Sequence, residues 1–258
     1  MAERYYWQYE RSNIPADLAE LTGDEAHHLT RVMRRKTGDR VTLFDGHGRE
    51  FLAEIVDARK NGVTLRILET QLADTESPRQ ITMAVSLPKG DRQKWLVEKL
   101  TEFGCHRLIP LKTERGVPQC SEQVLERLRR QVLEATKQCN RTRLMQITPE
   151  TGIADCVAEY MGEYLQNDGT ADVTNVNTSG FIAHPRCDDD FNQLSLSELT
   201  QLTLPKCVLV LIGPVGGFTR DEVTRAVELG LQPLDLGPRI FRVETAALMT
   251  TAILTAFS

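Results

Sequence analysis

Apolar runs of strand length alternate with helical segments from residue 81 onward, and this alternation constrains the fold more than any other feature of the sequence. Strands are predicted over residues 81–87 and 107–111, each followed by a helix, over 91–103 and 121–139. Residues 207–212 are apolar at every position, as expected of a parallel strand that is buried on both faces. The second part of the chain is therefore predicted to be an α/β domain, with a parallel sheet covered by helices.

The first part of the chain has a different pattern of apolar and polar residues. Residues 41–44, 50–56 and 63–68 alternate apolar and polar side chains at period two, and an Asn-Gly pair between the last two runs is typical of a hairpin. Short strands at this spacing predict a small β-barrel. A polar stretch with a proline comes next, so we expect two domains, residues 1–73 and 78–258.

Two helices are predicted to begin with a capping box, in which a Thr side chain and a Glu three residues later satisfy free backbone N–H groups. The pairs are Thr22 with Glu25 in the first domain and Thr219 with Glu222 in the second.

The charge distribution leaves nucleic acid open as a partner, although the net charge is −5. Residues 73–150 carry 14 basic and 10 acidic side chains, whereas residues 151–204 carry one basic and nine acidic. Because salt screens charges beyond about 8–10 Å, the basic segment can still face RNA. The six cysteines form no Cys-x-x-Cys pair and have no His partner at metal spacing, so we expect reduced thiols, a cytoplasmic location and no metal site. No run approaches the ~18 apolar residues of a membrane span.

A glycine-rich turn follows the apolar run, with Gly213, Gly216 and Gly217 before a predicted helix over 219–229. Glycine lets a ligand approach the backbone, and ligands of open α/β sheets bind beyond the carboxyl ends of the strands. The alternative is a tight strand–helix turn with no ligand. The turn is neither a P-loop, since no Lys-Ser/Thr pair follows, nor a dinucleotide fingerprint, since its glycine spacing differs.

A second stretch follows the short predicted strand over 233–236, where Gly237 and a proline precede Arg239 and Arg242. Arginines crowded at a strand end suggest an anionic partner. The alternative is a solvated start of the last predicted helix, over 243–257.

Together the two stretches resemble the C-terminal motifs of the SPOUT methyltransferases, and more narrowly those of the RsmE family. The family pattern is Gly-Pro-Glu-Gly-Gly-Phe, then Leu-Gly-x-Arg-Ile-Leu-Arg-x-Glu-Thr-Ala. This chain has Gly-Pro-Val-Gly-Gly-Phe at 213–218 and Leu-Gly-Pro-Arg-Ile-Phe-Arg-Val-Glu-Thr-Ala at 236–246. Further matches, such as Lys-Gly-Asp-Arg at 89–92 and Glu-Lys-Leu-Thr-Glu-Phe-Gly at 98–104, extend the resemblance from residue 28 to residue 246.

The resemblance implies an α/β domain with a SPOUT-type trefoil-knotted parallel sheet and covering helices, preceded by a PUA-like RNA-binding barrel. It also implies a homodimer that uses S-adenosyl-L-methionine (SAM) to methylate N3 of a uridine in 16S rRNA of the small ribosomal subunit. Reaching N3 requires an unpaired or flipped base.

The resemblance also implies roles for individual residues. The expected cofactor-binding residues are Leu211, Ile212, Gly213, Gly216, Gly217, Leu236, Gly237, Ile240, Phe241 and Thr245. The expected catalytic residues are Arg242 and Arg239, as donors to the uridine anion, and Glu244, as proton acceptor. The expected RNA-binding residues are Arg31, Arg34, Arg35, Lys36, Lys89, Arg92, Arg115, Gln138 and Arg141.

Three alternatives stay open. Glu244 could serve only the dipole of its helix, and the cluster Arg31–Lys36 could merely face water. Val215 stands where the family usually has Glu, and with the acidic segment 151–204 it supports an RNA-binding assembly factor that has lost catalysis. A different base, or a tRNA substrate, within the same superfamily is the third.

Overall fold

The computed structural model describes residues 4–9, 15, 17–59, 62–73, 75–117, 120–167, 178–185 and 191–256. These residues pack as two units. One comprises the described residues of Met1–Glu76 together with Leu133–Leu144, and the other those of Ser77–Val132 with Met145–Ser258.

The first unit is built on a five-stranded sheet with the strand order β1-β3-β4-β5-β2. Its strands are β1 (Arg4–Tyr6), β2 (Leu18–Thr22), β3 (Arg40–Phe44), β4 (Arg49–Arg59) and β5 (Gly62–Leu72). β1 pairs parallel with β3, and the other pairs are antiparallel. The three period-two runs lie within β3, β4 and β5, so the predicted β-rich first part of the chain is confirmed.

A short helix, α1 (Gly23–His27), continues into a π-helical turn, His28–Val32. The predicted capping box at its start is wrong, because the Thr22 side chain makes no capping hydrogen bond. The Glu25 carboxylate instead accepts hydrogen bonds from the backbone N–H of Tyr6 (3.3 Å) and from Nζ of Lys137. These two partners, one of them cationic, occupy the carboxylate that the capping box would need.

Asp45 fixes the turn between β3 and β4. Its buried carboxylate accepts from the backbone N–H groups of His47 (2.8 Å) and Arg49 (3.1 Å), and from Nε of Arg49 (2.6 Å). Burial alone would raise the pKa of Asp45, but these hydrogen bonds and the Arg49 charge outweigh it and lower the pKa below its usual 3.8.

The second unit contains an eight-stranded sheet with the order β11-β13-β10-β12-β6-β7-β8, and β9 pairs with β7. Its strands are β6 (Gln80–Val85), β7 (Arg107–Lys112), β8 (Gln146–Ile147), β9 (Thr151–Gly152), β10 (Thr178–Ala183), β11 (Leu194–Ser195), β12 (Cys207–Ile212) and β13 (Gln232–Asp235). The pairs are all parallel. The predicted parallel sheet is confirmed, while the trefoil knot stays a prediction.

Helices accompany these strands along the chain. They are α2 (Asp91–Glu102), α3 (Glu122–Gln138), α4 (Ile153–Asn167), α5 (Leu196–Leu199), α6 (Arg220–Glu228) and α7 (Val243–Ala256). The capping box Thr219–Glu222 is present at the start of α6, as predicted. α4 was not predicted, although its buried face, with Cys156 and Tyr160, lies in the core of this unit. None of the described helices has the length and apolar character needed to cross a bilayer.

Three strands of the second unit end side by side. β10 lies between β12 and β13, with Ala183 in register with both Ile212 and Leu234. Because the strands are parallel, the loops that leave their carboxyl ends emerge at the same edge of the sheet.

Candidate functional site

A cavity of about 200 Å³ lies at this edge, beyond the carboxyl ends of β10, β12 and β13. Three chain segments line it, drawn from residues 183–185, 212–218 and 235–246. In open α/β sheets this is the place where ligands bind.

The glycine-rich turn after β12 is held tightly against the core. A Cβ atom at Gly213 would lie 3.0 Å from the ring of Phe218, a side chain that is only 4% exposed, so a larger residue does not fit without displacing the ring. Gly217 has φ +68° and donates its N–H to the carbonyl of Pro214 (2.8 Å). The turn thus lines the cavity with Gly213, Gly216 and Gly217 together with Pro214, Val215 and Phe218.

The loop after β13 is fixed in a similar way. The Asp235 carboxylate accepts a hydrogen bond from the backbone N–H of Gly237 (2.8 Å), whose φ of +107° is suited to glycine. Further along, the Ile240 side chain is 87% exposed, and the Arg239 guanidinium lies 6.0 Å from the ring centre of Phe241. This loop therefore brings apolar side chains and one carboxylate to the cavity that the glycine-rich turn also lines.

A second cavity, also about 200 Å³, adjoins the first, and the residues that line both form a shared wall. Pro214, Val215 and Val243 line both. Four of the described residues around the second cavity are basic and one is acidic; they are Lys89, Arg92, Arg115, Arg242 and Glu244. The second cavity is thus strongly cationic, and it adjoins the glycine-lined one.

Glu244 is the unusual member of this set. It lies in the first turn of α7, is only 5% exposed, and its Oε1 is 3.9 Å from Nη1 of Arg92. Its Oε2 is buried and has no hydrogen-bond partner among the described residues. A buried acceptor without a partner is rare in folded proteins and calls for an explanation.

Two further side chains tie the loop after β7 to the glycine-rich turn. Nη1 of Arg115 donates to the carbonyl oxygens of Gly216 (2.9 Å) and Phe218 (3.4 Å). The Glu222 carboxylate accepts from the backbone N–H groups of Glu114 (2.8 Å) and Thr219 (2.8 Å). Arg115, predicted to contact RNA, therefore also braces the wall between the two cavities.

The structure brings most of the predicted site residues together. The first cavity is lined by Ile212, Gly213, Gly216, Gly217, Leu236, Gly237, Ile240 and Phe241 from the predicted cofactor set, and by Arg239. Leu211 is instead fully buried in the core, and Thr245 is exposed and does not line the cavity. Arg242 and Glu244 line the second cavity with Lys89, Arg92 and Arg115.

Sequence reasoning missed the contribution of β10. Ala183, His184 and Pro185 line the first cavity, together with Asp235 and the helix residues Val243 and Ala246. The place of β10 between β12 and β13 depends on the strand order, which no local motif reveals.

The predicted RNA-binding residues of the first unit divide into two groups. Arg31, Arg34, Lys36 and Gln138 are exposed and Arg35 is half-buried, with Arg34 in a left-handed conformation (φ +53°). For Arg141 the prediction is wrong, because its side chain is 4% exposed and is paired with Glu76 through Nε (3.1 Å) and Nη2 (2.5 Å). A bidentate pair this deeply buried has a structural role. In the described part of the chain no cluster of three metal-ligating side chains occurs.

Comparison with known proteins adds the family. A family described as "RNA methyltransferase domain" matches residues 75–255, and one described as "RNA methyltransferase PUA domain" matches residues 21–68. Over 236 residues the chain is 31% identical to ribosomal RNA small subunit methyltransferase E of Synechocystis, covering 92% of this chain and 72% of the relative. The chain belongs to the ribosomal RNA small subunit methyltransferase E family. It is thus a member of a family of rRNA methyltransferases, and the predicted family is confirmed.

Solved structures agree with this family assignment. The family member from Neisseria gonorrhoeae, bound to SAM, superposes with a TM-score of 0.80 at 26% identity and covers 99% of this chain and 98% of its own. A Legionella pneumophila methyltransferase in complex with SAM gives a TM-score of 0.79 at 27% identity, with the same coverage. The predicted fold, an α/β methyltransferase domain preceded by a PUA domain, is confirmed.

Proposed function

We propose that this chain transfers a methyl group from SAM to N3 of a uridine in 16S rRNA of the small ribosomal subunit. The observation that carries the proposal is the pair of adjoining cavities in the second unit. One is lined by the glycine-rich turn and the loops at three strand ends. The other is lined by four basic side chains, and the two cavities share three lining residues.

The first cavity fits SAM. At Gly217 and Gly237 the backbone has positive φ and an added Cβ atom would meet nothing within 4 Å, so a ligand in the cavity can approach these peptide groups. Apolar side chains such as Phe241 can pack against an adenine, and Asp235 provides negative charge for a ligand with a cationic sulfur. When bound, SAM supplies a methyl group on that electrophilic sulfur. Micromolar affinity, about −8 kcal/mol, requires only a few backbone hydrogen bonds with apolar burial.

The second cavity fits the reacting nucleotide. Methylation at N3 of uridine requires loss of the imide proton, so a donor must stabilise the resulting anion and a base must accept the proton. Arg242 can donate to the anion, and Glu244 can accept the proton. Arg239, the second candidate donor, lines the first cavity. Arg92 and Lys89 at the rim can neutralise phosphates.

The first unit is proposed to bind flanking RNA through its exposed basic residues. Arg31, Arg34 and Lys36 are exposed beside the π-helical turn, and Gln138 is exposed at the end of α3. Phosphate contacts of this kind position the protein and make affinity dependent on salt. An rRNA substrate agrees with the cytoplasmic location that the cysteine pattern predicts.

We also propose that the protein acts as a homodimer. Large apolar side chains are exposed on the second unit, including Ile240 and Val215 (both 87%) at the cavities and Trp95 (45%) on α2. Such side chains favour burial against a second copy. Light scattering during gel filtration should give twice the mass of the 29.1 kDa chain, and a monomer at micromolar concentration would contradict this.

A second candidate function is an RNA-binding assembly factor without catalysis. Val215, at the wall between the two cavities, supports it, because it removes the carboxylate that the family usually has at this turn. The two functions differ in whether the protein binds SAM.

Calorimetric titration with SAM separates them. Wild-type protein should bind in the micromolar range, and Gly217→Arg, which fills the first cavity, should not bind. Gly230→Arg is the matched control, because Gly230 also has positive φ (+90°) and open space around it but lies outside the cavity. No heat with wild-type protein would favour the assembly factor. Labelled methyl transfer to small-subunit RNA, with tRNA as comparison, then tests the substrate.

A further inference from the structure

We propose that the first unit carries a second RNA-binding surface, which holds an unpaired base of the RNA by stacking. This turn surface surrounds the connection between β3 and β4 and consists of Tyr9, His47, Arg49 and Arg143. All four residues belong to the first unit, because that unit includes Leu133–Leu144. The inference rests on the proposed function for RNA as the ligand, and it adds a binding surface that methyl transfer itself does not use.

The Tyr9 ring is accessible and at the same time firmly held. Tyr9 is 45% exposed, and its ring stands at 90° to that of Trp7, with the ring centres 5.1 Å apart. Trp7 packs at 5.0 Å against Phe51, and both of these side chains are buried. A ring that its neighbours already fix loses little conformational freedom when a ligand binds, so Tyr9 is suited to stacking on a base.

Arg49 provides a second flat group beside this ring. Its guanidinium carbon lies 4.9 Å from the ring centre of Tyr9, and its Nε donates to the buried Asp45 carboxylate (2.6 Å). The side chain nevertheless stays 40% exposed. Guanidinium planes and aromatic rings both stack on unpaired bases of RNA. Tyr9 and Arg49 therefore form a stacking platform whose position is fixed by Asp45 and Trp7.

Arg143 supplies a charge next to the platform. A Cβ atom at Gly48 would lie 3.0–3.1 Å from Nη2, Cζ and Nε of Arg143, so the guanidinium faces the Gly48 backbone, where φ is +108°. The backbones of His47 and Arg143 also pair in an antiparallel bridge. Arg143 is exposed, and its side chain has no ion pair within the described part of the chain. This cation is thus fixed in place and available to a ligand.

The charge around the turn surface favours a ligand with negative charge. Three carboxylates adjoin its residues in the structure or in the chain, and each is paired with an arginine. The pairs are Asp45 with Arg49, Glu50 with Arg4, and Glu76 with Arg141. The charge of Arg143 is therefore not balanced, and the exposed imidazole of His47 can donate a further hydrogen bond. An unpaired nucleotide matches this surface, because it combines a flat base with a phosphate.

The turn surface is separate from the basic cluster Arg31–Lys36. That cluster precedes the start of β3 at Arg40, whereas the turn surface follows the end of β3 at Phe44. Five strand residues at about 3.3 Å each separate the two ends by roughly 15 Å. The loop before β3 contacts the far part of β4, where Gly38 donates its N–H to the carbonyl of Ile55 (2.8 Å). The two surfaces can therefore be tested independently.

The first test measures the affinity of the full chain for a labelled single-stranded RNA of about ten nucleotides, by fluorescence anisotropy. Tyr9→Ala should weaken binding by about fivefold or more, the ratio expected from loss of one stacked base. Tyr9→Phe keeps the ring and should stay within about twofold of wild type. Val56→Ala is the matched control, because it shortens another exposed apolar side chain of the same sheet and should leave the affinity unchanged.

The dependence of binding on salt separates stacking from phosphate contact. Arg143→Ala should reduce the slope of log affinity against log salt by about 0.7, the value for one phosphate contact on a single strand. Tyr9→Ala should leave the slope unchanged. Arg59→Ala is the control for Arg143→Ala, because Arg59 is 83% exposed at the opposite end of β4. Its slope should equal that of wild type, and an equal slope in Arg143→Ala would contradict the phosphate contact.

Photo-cross-linking locates the base and needs no variant that has to fold. The same RNA with 5-bromouridine in place of uridine should cross-link to the peptide that contains Tyr9, as identified by mass spectrometry. Cross-links confined to other peptides, or unchanged RNA affinity in Tyr9→Ala, would overturn the inference and would favour a protein as the occupant of the turn surface. Loss of SAM binding in wild-type protein that still binds this RNA would overturn the proposed function instead.

Discussion

Replacing Gly237 by alanine tests whether backbone conformation at the first cavity controls cofactor affinity. Gly237 has φ +107°, which side chains rarely adopt, and an added Cβ atom would meet nothing within 4 Å. The substitution therefore introduces backbone strain without a steric clash. The loop can relieve the strain by giving up the hydrogen bond from Gly237 to Asp235, which moves peptide groups that line the cavity.

The size of the effect follows from that strain. A residue with a side chain held in such a conformation costs about 1–3 kcal/mol. A loss near ~2 kcal/mol lowers the melting temperature by roughly 4–8 °C in a chain of this size. If the loop has to return to its original conformation to bind SAM, the part of this strain that it had relieved reappears as weaker binding, up to about 30-fold if all of it was relieved.

Gly230→Ala provides the control. Gly230 has φ +90° at the end of α6, also with open space around it, but it does not line the cavity. Both variants should lose similar thermal stability in a differential scanning calorimeter, and only Gly237→Ala should lose SAM affinity in a titration. Unchanged affinity in Gly237→Ala, or equal losses in both variants, would refute the argument.

Three further predictions concern stability. Glu222→Ala should lower the free energy of unfolding in urea by about 2 kcal/mol, because it removes the helix cap and the acceptor for Glu114. Arg141→Ala should cost about 3 kcal/mol by leaving Glu76 without its buried partner, whereas the loss of a mere RNA contact would cost nothing. The pKa of Asp45 is lower in the folded protein than its ordinary 3.8. The ionised carboxylate therefore stabilises the fold fully above pH 3.8, and this stabilisation is lost as the pH falls through the pKa of the folded state. The stability of Asp45→Asn, followed by circular dichroism, should fall less steeply with decreasing pH than that of the wild type, and an equal slope would contradict this.

Local patterns predicted the parts of the fold that local physics determines. The apolar strand at Cys207–Ile212, the glycine-rich turn with its capping box, and the loop with Gly237 lie where the sequence indicated. Each depends on residues that are close in sequence. The strand follows from a continuous apolar run, the two loops from the backbone conformation of glycine, and the helix start from a cap within four residues. Most of the predicted cofactor residues line one cavity because they occupy the loops after β12 and β13, and the strand order brings both loops to the same edge of the sheet.

What the sequence did not reveal depends on partners that are distant in the chain. The Thr22 capping box failed because Glu25 is drawn to Lys137, and Arg141 is buried because it meets Glu76. Neither partner is visible in a local motif. The segment after β10 was missed because its neighbours are fixed by strand order. The helix α4 is different, because its apolar side chains do recur at helical spacing and could have been recognised.

The identity of the methylated nucleoside is the decisive test of the proposed function. Small-subunit RNA that lacks the modification would be incubated with the protein and SAM, digested to nucleosides and analysed by mass spectrometry. The proposed function predicts 3-methyluridine with wild-type protein and its absence with Gly217→Arg. Methyl label in a different nucleoside, or in none while SAM still binds, would contradict it.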